Sequence, residues 1–281
     1  MAAEGGLRMS WIKDYRLTAD LDEAAELLAR PDERWAVFGG GSRLVARKPP
    51  EVERLVDLLP LGLDRIEDGD DGALRLGARV RLQTLADRKD RDGLLRAASL
   101  SLAHSVNLRN QMTLAGETAW PIVLSELQTA LVALDARVHR HALAPTGVAD
   151  YLAESPRAGI ITAVELPAAR GWRFGFHALR AASAARPQLV LAAGVELVDG
   201  RIKAARLVYG RFGERPQRAL GLERRLVGEA PAPLGLGTLE GDLRDGLAPF
   251  DDPGVDAASK WDGAAALVDE FLATCRGASG P

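Results

Sequence analysis

Three consecutive glycines, Gly39-Gly40-Gly41, follow directly on the apolar run Ala36-Val37-Phe38 and precede Ser42. Three adjacent residues without a Cβ let the backbone enter φ > 0 and lie against a neighbour, with its N–H groups available to anionic oxygens. Such a turn constrains the chain strongly: an extended segment ends there, and the backbone passes close to something. A second segment, Asn110-Gln111-Met112-Thr113-Leu114-Ala115-Gly116-Glu117, carries the residue types of a partner loop. The two together predict the halves of a phosphate cradle.

The strand–glycine–helix order does not complete a dinucleotide fingerprint. Leu44 stands where a third glycine would be needed, and Pro49-Pro50 cuts short the space for a crossover, which takes roughly 10–12 residues. A P-loop is excluded because no Lys-Ser or Lys-Thr closes the turn. A glycine-rich turn without any ligand is the competing reading of the loop taken alone.

The 281 residues suffice for two domains, and a net charge of −3 with no block of like charge argues against nucleic acid as the main partner. Cys275 is the one cysteine, so this chain holds neither an internal disulfide nor an iron–sulfur cluster. It reads as a helix residue in a reducing compartment. Without an apolar run of about 18 residues, no membrane span is expected. Met1-Ala-Ala-Glu-Gly-Gly lacks the plan of a signal peptide, and the expectation is a cytoplasmic protein.

The periodicity predicts helices over 21–29, 82–100, 124–134, 220–227 and 264–275. It predicts a short buried strand over 34–38 and further strands over 74–78, 136–144 and 160–166. Val190 to Val198, Asp199-Gly200, and Ile202 to Tyr209 read as a hairpin with a two-residue turn. Residues 55–59 form a short apolar element and 229–237 a loop. Pro167 to Gly171 is the expected domain boundary, followed by a small antiparallel sheet with helices.

Trp35 to Val45 resembles the first flavin motif of the FAD-binding middle subunit of molybdenum hydroxylases, the carbon monoxide dehydrogenase and xanthine dehydrogenase type enzymes. Leu76-Gly77-Ala78 is similar to that family's Ile-Gly-Ala strand. Leu108-Arg109-Asn110-x-x-Thr113-Leu114-Ala115-Gly116 is similar to Ile-Arg-Asn-x-x-Thr-Ile-Gly-Gly, the start of its second flavin motif. Ala130 to Asp135, Ile160 to Val164 and the stretch from Phe176 to Ala193 extend the similarity, which spans roughly residues 15 to 275.

The resemblance implies an α+β fold: a two-subdomain FAD-binding domain of the vanillyl-alcohol-oxidase/PCMH type over 8–168, divided at about 65, then a C-terminal domain over 172–276. It implies that Gly39, Gly40, Gly41 and Ser42 cradle one phosphate of FAD, that Thr113 and Gly116 serve the other, and that Arg43 and Leu44 flank the cofactor. Asn110, Leu114, Ala115, Glu117, Glu126 and Ile160 complete the implied cofactor site, with no catalytic residue and no metal ligand on this chain. The implied role is an electron relay, from a 2Fe–2S small subunit beside a molybdopterin large subunit, through FAD, to NAD, quinone or oxygen. A dimer of heterotrimers is the implied assembly.

The second motif departs from the family at named positions. Ala115 replaces a glycine, which is harmless if φ is negative there. Glu117 replaces an asparagine, and a carboxylate beside a pyrophosphate repels it unless it is paired or turned away. Two family aspartates fall on Ile122 and Glu126, of which Glu126 still accepts a ribityl or ribose hydroxyl. The family lysine of the second domain falls on Ala178. These changes leave open a second reading, a scaffold subunit that kept the fold and lost FAD. A third, a self-contained flavin oxidase, lacks an evident general base. His139 and His141, two apart, could share a strand face as a metal pair, though partly exposed strand histidines are commoner. His104 beside Ser105 gives no visible triad. Trp172 to Phe176 reads as domain packing, and 213–216 as a turn or a loop near the flavin.

Overall fold

The computed structural model describes residues 11–121, 125–182, 185–235, 240–250 and 256–277. Strands β1 (Asp14–Leu17), β2 (Trp35–Phe38) and β3 (Arg54–Asp57) make a parallel sheet in the order β1-β3-β2. Helix α1 (Leu21–Leu28) joins β1 to β2, and the Asp20 side chain caps it by accepting from Asp22 N and Glu23 N. Its inner face buries Ala24 and Leu27 against Val56, Leu58 and Ile160. The connection from β2 to β3 carries only the four-residue α2 (Leu44–Arg47), so a parallel crossover is made in less helix than the usual unit needs. The strand expected to be buried over 34–38 is not: Val37 is 37 % exposed. The reason is topological, since β2 is an edge strand with partners on one side only.

The second sheet is antiparallel, in the order β4 (Ile66–Asp68), β5 (Leu74–Gly77), β8 (Ile161–Leu166), β6 (Arg137–Arg140), β7 (Leu143–Gly147). The single strand expected over 136–144 is a hairpin, turned at His141 and Ala142, where Ala142 has φ 55°. Helices α3 (Leu82–Asp87), α4 (Leu94–Leu102), α5 (Val106–Gln111), α6 (Leu114–Ala119), α7 (Glu126–Ala133) and α8 (Val148–Ala153) accompany it. The one long helix expected over 82–100 is therefore two. Asp92 (φ 54°) and Gly93 (φ 75°) leave the helical region between them, and the freed Asp92 carboxylate accepts the Phe174 N–H at 2.8 Å.

The third sheet, β12-β11-β10-β9, is antiparallel and comprises β9 (Trp172–Leu179), β10 (Leu189–Val198), β11 (Arg201–Gly210) and β12 (Gln217–Arg218). Asp199 and Gly200 both take positive φ, as a two-residue hairpin turn of the primed type requires. Alternation divides its faces: Phe174, Ala192 and Val208 enter the core of the second sheet, while Leu191, Ala193, Leu207 and Tyr209 face α9 (Leu220–Leu226) and α11 (Ala257–Gly277). A short α10 (Glu240–Arg244) lies between these two helices in sequence. Helix α11 starts earlier than expected and buries Cys275. Trp172 and Phe176 pack on the first core, in line with the domain-packing reading. Every residue of α7 is buried, because it lies against α4 on one side and β10 and β11 on another. That helix carries Glu126 into the interior.

Candidate functional site

The glycine turn and the second segment meet. A Cβ on Gly39 would stand 2.7 Å from Thr113 Oγ1, and one on Gly40 would stand 1.5 Å from the Gln111 carbonyl oxygen. Gly41 has φ +72°, a conformation glycine adopts without penalty. The triple glycine thus has two reasons to exist before any ligand is considered: close backbone approach at two positions and a left-handed residue at the third.

Residues 78–82 bind the second segment from behind. Ala78 O accepts from Ala115 N, Val80 O from Leu114 N, and Leu82 N donates to Met112 O. Arg81 Nη1 donates to Gln111 O at 2.8 Å; burial and the neighbouring Arg79 depress its pKa. Arg79 is buried and donates to Asp57 Oδ1 at 2.7 Å and, more weakly, to Phe38 O at 3.4 Å. Tyr15 closes the group by donating to Asp57 Oδ2 at 2.6 Å, and burial together with Asp57 pushes its phenol up to about 12. The first sheet is thereby tied to the second beside the glycine turn.

Three cavities surround this junction. The largest, about 650 Å³, lies over Gly39 to Leu44, with Thr113, Gly116, Glu117 and Trp120 across it and Pro49 to Val52 at one end. That volume suits a ligand of cofactor size. A smaller cavity of about 120 Å³ shares Ser42 and Arg43 and adds Glu126, Arg186 and Arg211. Another of about 120 Å³ lies between Phe38, Arg79, Ala115 and Ile160.

Thr113 caps α6 by accepting from Gly116 N at 3.2 Å. Ala115 lies inside α6 and is not among the residues with positive φ, so alanine carries no backbone strain there. Glu117 is only 2 % exposed, and Arg43 grips it with two bonds: Nε to Oε2 at 3.0 Å and Nη2 to Oε1 at 2.5 Å. Ser125 Oγ donates to Oε1 at 3.3 Å. Burial raises the Glu117 pKa, while Arg43 and Ser125 pull against it. The repulsion that the sequence predicts for Glu117 is thus met by a partner from the glycine turn itself.

Glu126 is likewise 2 % exposed and makes one long contact, Arg211 Nη2 to Oε1 at 3.4 Å. Its other oxygen, Oε2, is a buried acceptor without a hydrogen-bond partner among the described residues, on a side chain bordering the smaller cavity. A buried carboxylate oxygen in that state fits a hydroxyl donor from a ligand.

Two expected site residues lie elsewhere. Asn110 is exposed on α5 and lines none of these cavities, and Leu114 is fully buried core. The helical register of α5 turns Arg109 inward instead, where it bonds Ala103 O, His104 O and Gln83. Ile122 falls outside the described residues. Residues 214–216 line a separate groove with Phe250, and it is Arg211, at φ 66°, that reaches the smaller cavity. His139 pairs with Glu165 and His141 with Asp22, so the two histidines part; no metal-holding cluster occurs among the described residues. Ser105 accepts from Leu108 N as the cap of α5. Sequence reasoning missed Arg79, Arg81 and Trp120. The only signal was proximity to the motifs, since long-range pairing leaves no local pattern.

The protein family described as "FAD binding domain in molybdopterin dehydrogenase" matches residues 10–169, more than half of the chain. The chain belongs to this family. It is also 37 % identical over 143 residues to YgfM of Escherichia coli (strain K12), covering 50 % of this chain and 54 % of that one. With the aldehyde oxidoreductase FAD-binding subunit PaoB of Escherichia coli (strain K12) it shares 43 % identity over 84 residues, 28 % of this chain and 26 % of PaoB. The matched part is thus about half the length of the first relative and a quarter of the second. Among solved structures, quinoline 2-oxidoreductase from Pseudomonas putida 86 superposes with a TM-score of 0.80 at 24 % identity, over 95 % of this chain and 98 % of that one. Carbon monoxide dehydrogenase from Hydrogenophaga pseudoflava gives 0.80 at 18 %, over 94 % and 97 %. These superpositions establish the fold over nearly the whole length of the family member, including the third sheet. No described helix is long and apolar enough to cross a membrane.

Proposed function

We propose that this chain is the FAD-binding, electron-transferring subunit of a cytoplasmic molybdenum hydroxylase complex. The observation that carries the proposal is the close packing of Gly39 and Gly40 on Gln111 to Thr113, beneath a cavity of about 650 Å³. In this reading residues 8–168 bind FAD and 172–276 form a second domain. Gly39 to Ser42 offer backbone amides and a hydroxyl to one phosphate, and Thr113 with Gly116 holds the other. Arg43 and Leu44 border the cofactor, Ala115 and Ile160 line the cavity behind the turn, and Glu126 Oε2 accepts a ribityl or ribose hydroxyl. Donors of this kind, rather than a cluster of lysines, suit a chain of net charge −3.

FAD, when bound, supplies one- and two-electron chemistry; the chain's residues bind, orient and shield it. A single cysteine, buried on α11, is too few for an iron–sulfur cluster, which supports a reading in which the electron donor belongs to a partner subunit and substrate oxidation to a molybdopterin subunit. PaoB, an FAD-binding subunit by its own description, supports that division of labour. NAD, a quinone or oxygen then takes the electrons. Of the features that motivate a cofactor-free scaffold, Ala115 carries no strain and Glu117 is paired, so the FAD reading is the stronger.

The test is the visible spectrum of the purified chain, before and after reconstitution with FAD. One flavin per chain is expected. A chain that stays colourless after reconstitution overturns the proposal.

A further inference from the structure

Arg43 and Glu117 stand 74 positions apart in sequence and join the two halves of the cradle. The Glu117 side chain is 2 % exposed and that of Arg43 19 %, and both line the large cavity with Trp120, whose ring centroid is 6.0 Å from the guanidinium carbon. Arg43 also lines the smaller cavity, so it stands at the junction of the two. The pair is electrically neutral at the place where a dianion is to bind. A pyrophosphate over the glycine turn meets an attractive guanidinium and, close behind it, a repelling carboxylate in a site of low dielectric. Arg79 is committed to Asp57 and Arg81 donates to Gln111 O behind the turn, so of the arginines lining the large cavity, Arg43 and Arg47, Arg43 is the one held by a buried carboxylate.

Resting on the FAD reading above, we infer that Glu117 is a brake on cofactor affinity: its bidentate grip cancels the Arg43 charge at the pyrophosphate and makes FAD uptake weaker and more reversible than the cradle geometry alone allows. Glu117 acts through Arg43 and is a positioning residue, not a ligand. The same grip steadies the empty cradle, since Ser125 and Arg43 together satisfy the buried carboxylate. The arrangement exchanges affinity for order in the free protein.

The experiment measures the FAD dissociation constant of the full chain by flavin fluorescence, at low and high salt, for three proteins. Glu117→Gln keeps the shape and the Ser125 bond while removing the charge; it is expected to bind FAD about tenfold more tightly at low salt. Its affinity falls more steeply with salt than that of the parent, because Arg43 is no longer neutralised. The double variant Arg43→Met/Glu117→Gln loses that gain. Should Glu117→Gln fail to fold, Glu117→Asn makes the same comparison. Equal or weaker binding by the single variant, a gain that survives in the double variant, or a salt dependence no steeper in the single variant than in the parent each overturns the inference. If parent and variants alike take up no FAD, the functional proposal itself fails, and this inference with it.

Discussion

Gly40→Ala probes the junction on which the site depends. The added Cβ would lie 1.5 Å from Gln111 O, 2.6 Å from Gln111 C and 2.7 Å from Arg81 Nη1. Carbon–oxygen contact needs about 3.4 Å or more, so the turn or the 111–113 segment must retreat by about 2 Å. The obstacle is backbone, held by the Arg81 hydrogen bond and by the Leu82 N to Met112 O bond, and it cannot rotate aside as a side chain would. Overpacking of this kind costs about 1–3 kcal/mol, with the rigid neighbour placing Gly40→Ala at the upper end. At about 1.4 kcal/mol per factor of ten, a distortion of about 3 kcal/mol borne by the cradle lowers FAD affinity about 100-fold. Urea unfolding gives the stability change, and titration of the apoprotein with FAD gives the affinity. Gly241→Ala is the control: nothing lies within 4 Å of its Cβ and it sits in helix α10, so a neutral or slightly stabilising effect is expected. A Gly40→Ala protein with the parent's midpoint and the parent's FAD affinity would refute the claim that close approach of the two loops builds the site.

Thr113→Ala removes the cap of α6 and its bond to Gly116 N, and is expected to cost about 1 kcal/mol in urea unfolding and to weaken FAD binding in the same titration. Arg79→Met leaves Asp57 buried beside Tyr15 without its cation; about 3–5 kcal/mol of destabilisation is expected, together with weaker FAD binding as the Phe38 carbonyl is released. Tyr15 should titrate near 12 rather than 10 in an ultraviolet pH titration, a change absent from Tyr15→Phe. Because the folded state holds that proton more tightly, its contribution to stability is complete below pH 10 and declines as pH rises from 10 towards 12.

Much of the fold is legible in local pattern. The Asp199-Gly200 hairpin, helix α1 with its Asp20 cap and strand β8 follow from turn chemistry, capping and composition. Failures arise where tertiary structure overrides pattern. The apolar positions of 82–100 stop at Ala86 and resume at Leu94, with the turn dipeptide Asp92-Gly93 between them, a break that the helical spacing on either side masks; nothing local reveals that it serves Phe174 N. The edge position of β2 exposes a strand whose composition reads as core. At the site, the sequence identifies both loops by residue type. It does not reveal that Arg43 neutralises Glu117, because a pair 74 positions apart has no spacing to recognise. Nor does it reveal Arg79 and Arg81, which read as the polar members of a short alternating stretch and prove to be the ties behind the cradle.

The pairing also alters what Glu117 means. A carboxylate alone in the second motif argues against a dianionic ligand. A carboxylate held by the arginine of the first motif closes the two loops on each other, with Ser42, Thr113 and the Glu126 acceptor left lining the cavities beside it.

Amide hydrogen exchange of the full chain, with and without saturating FAD, tests the central claim most directly. A cradle made of two loops predicts slowed exchange in both 39–44 and 113–117 on addition of FAD. Protection confined to one of these segments, or found only elsewhere in the chain, would contradict it.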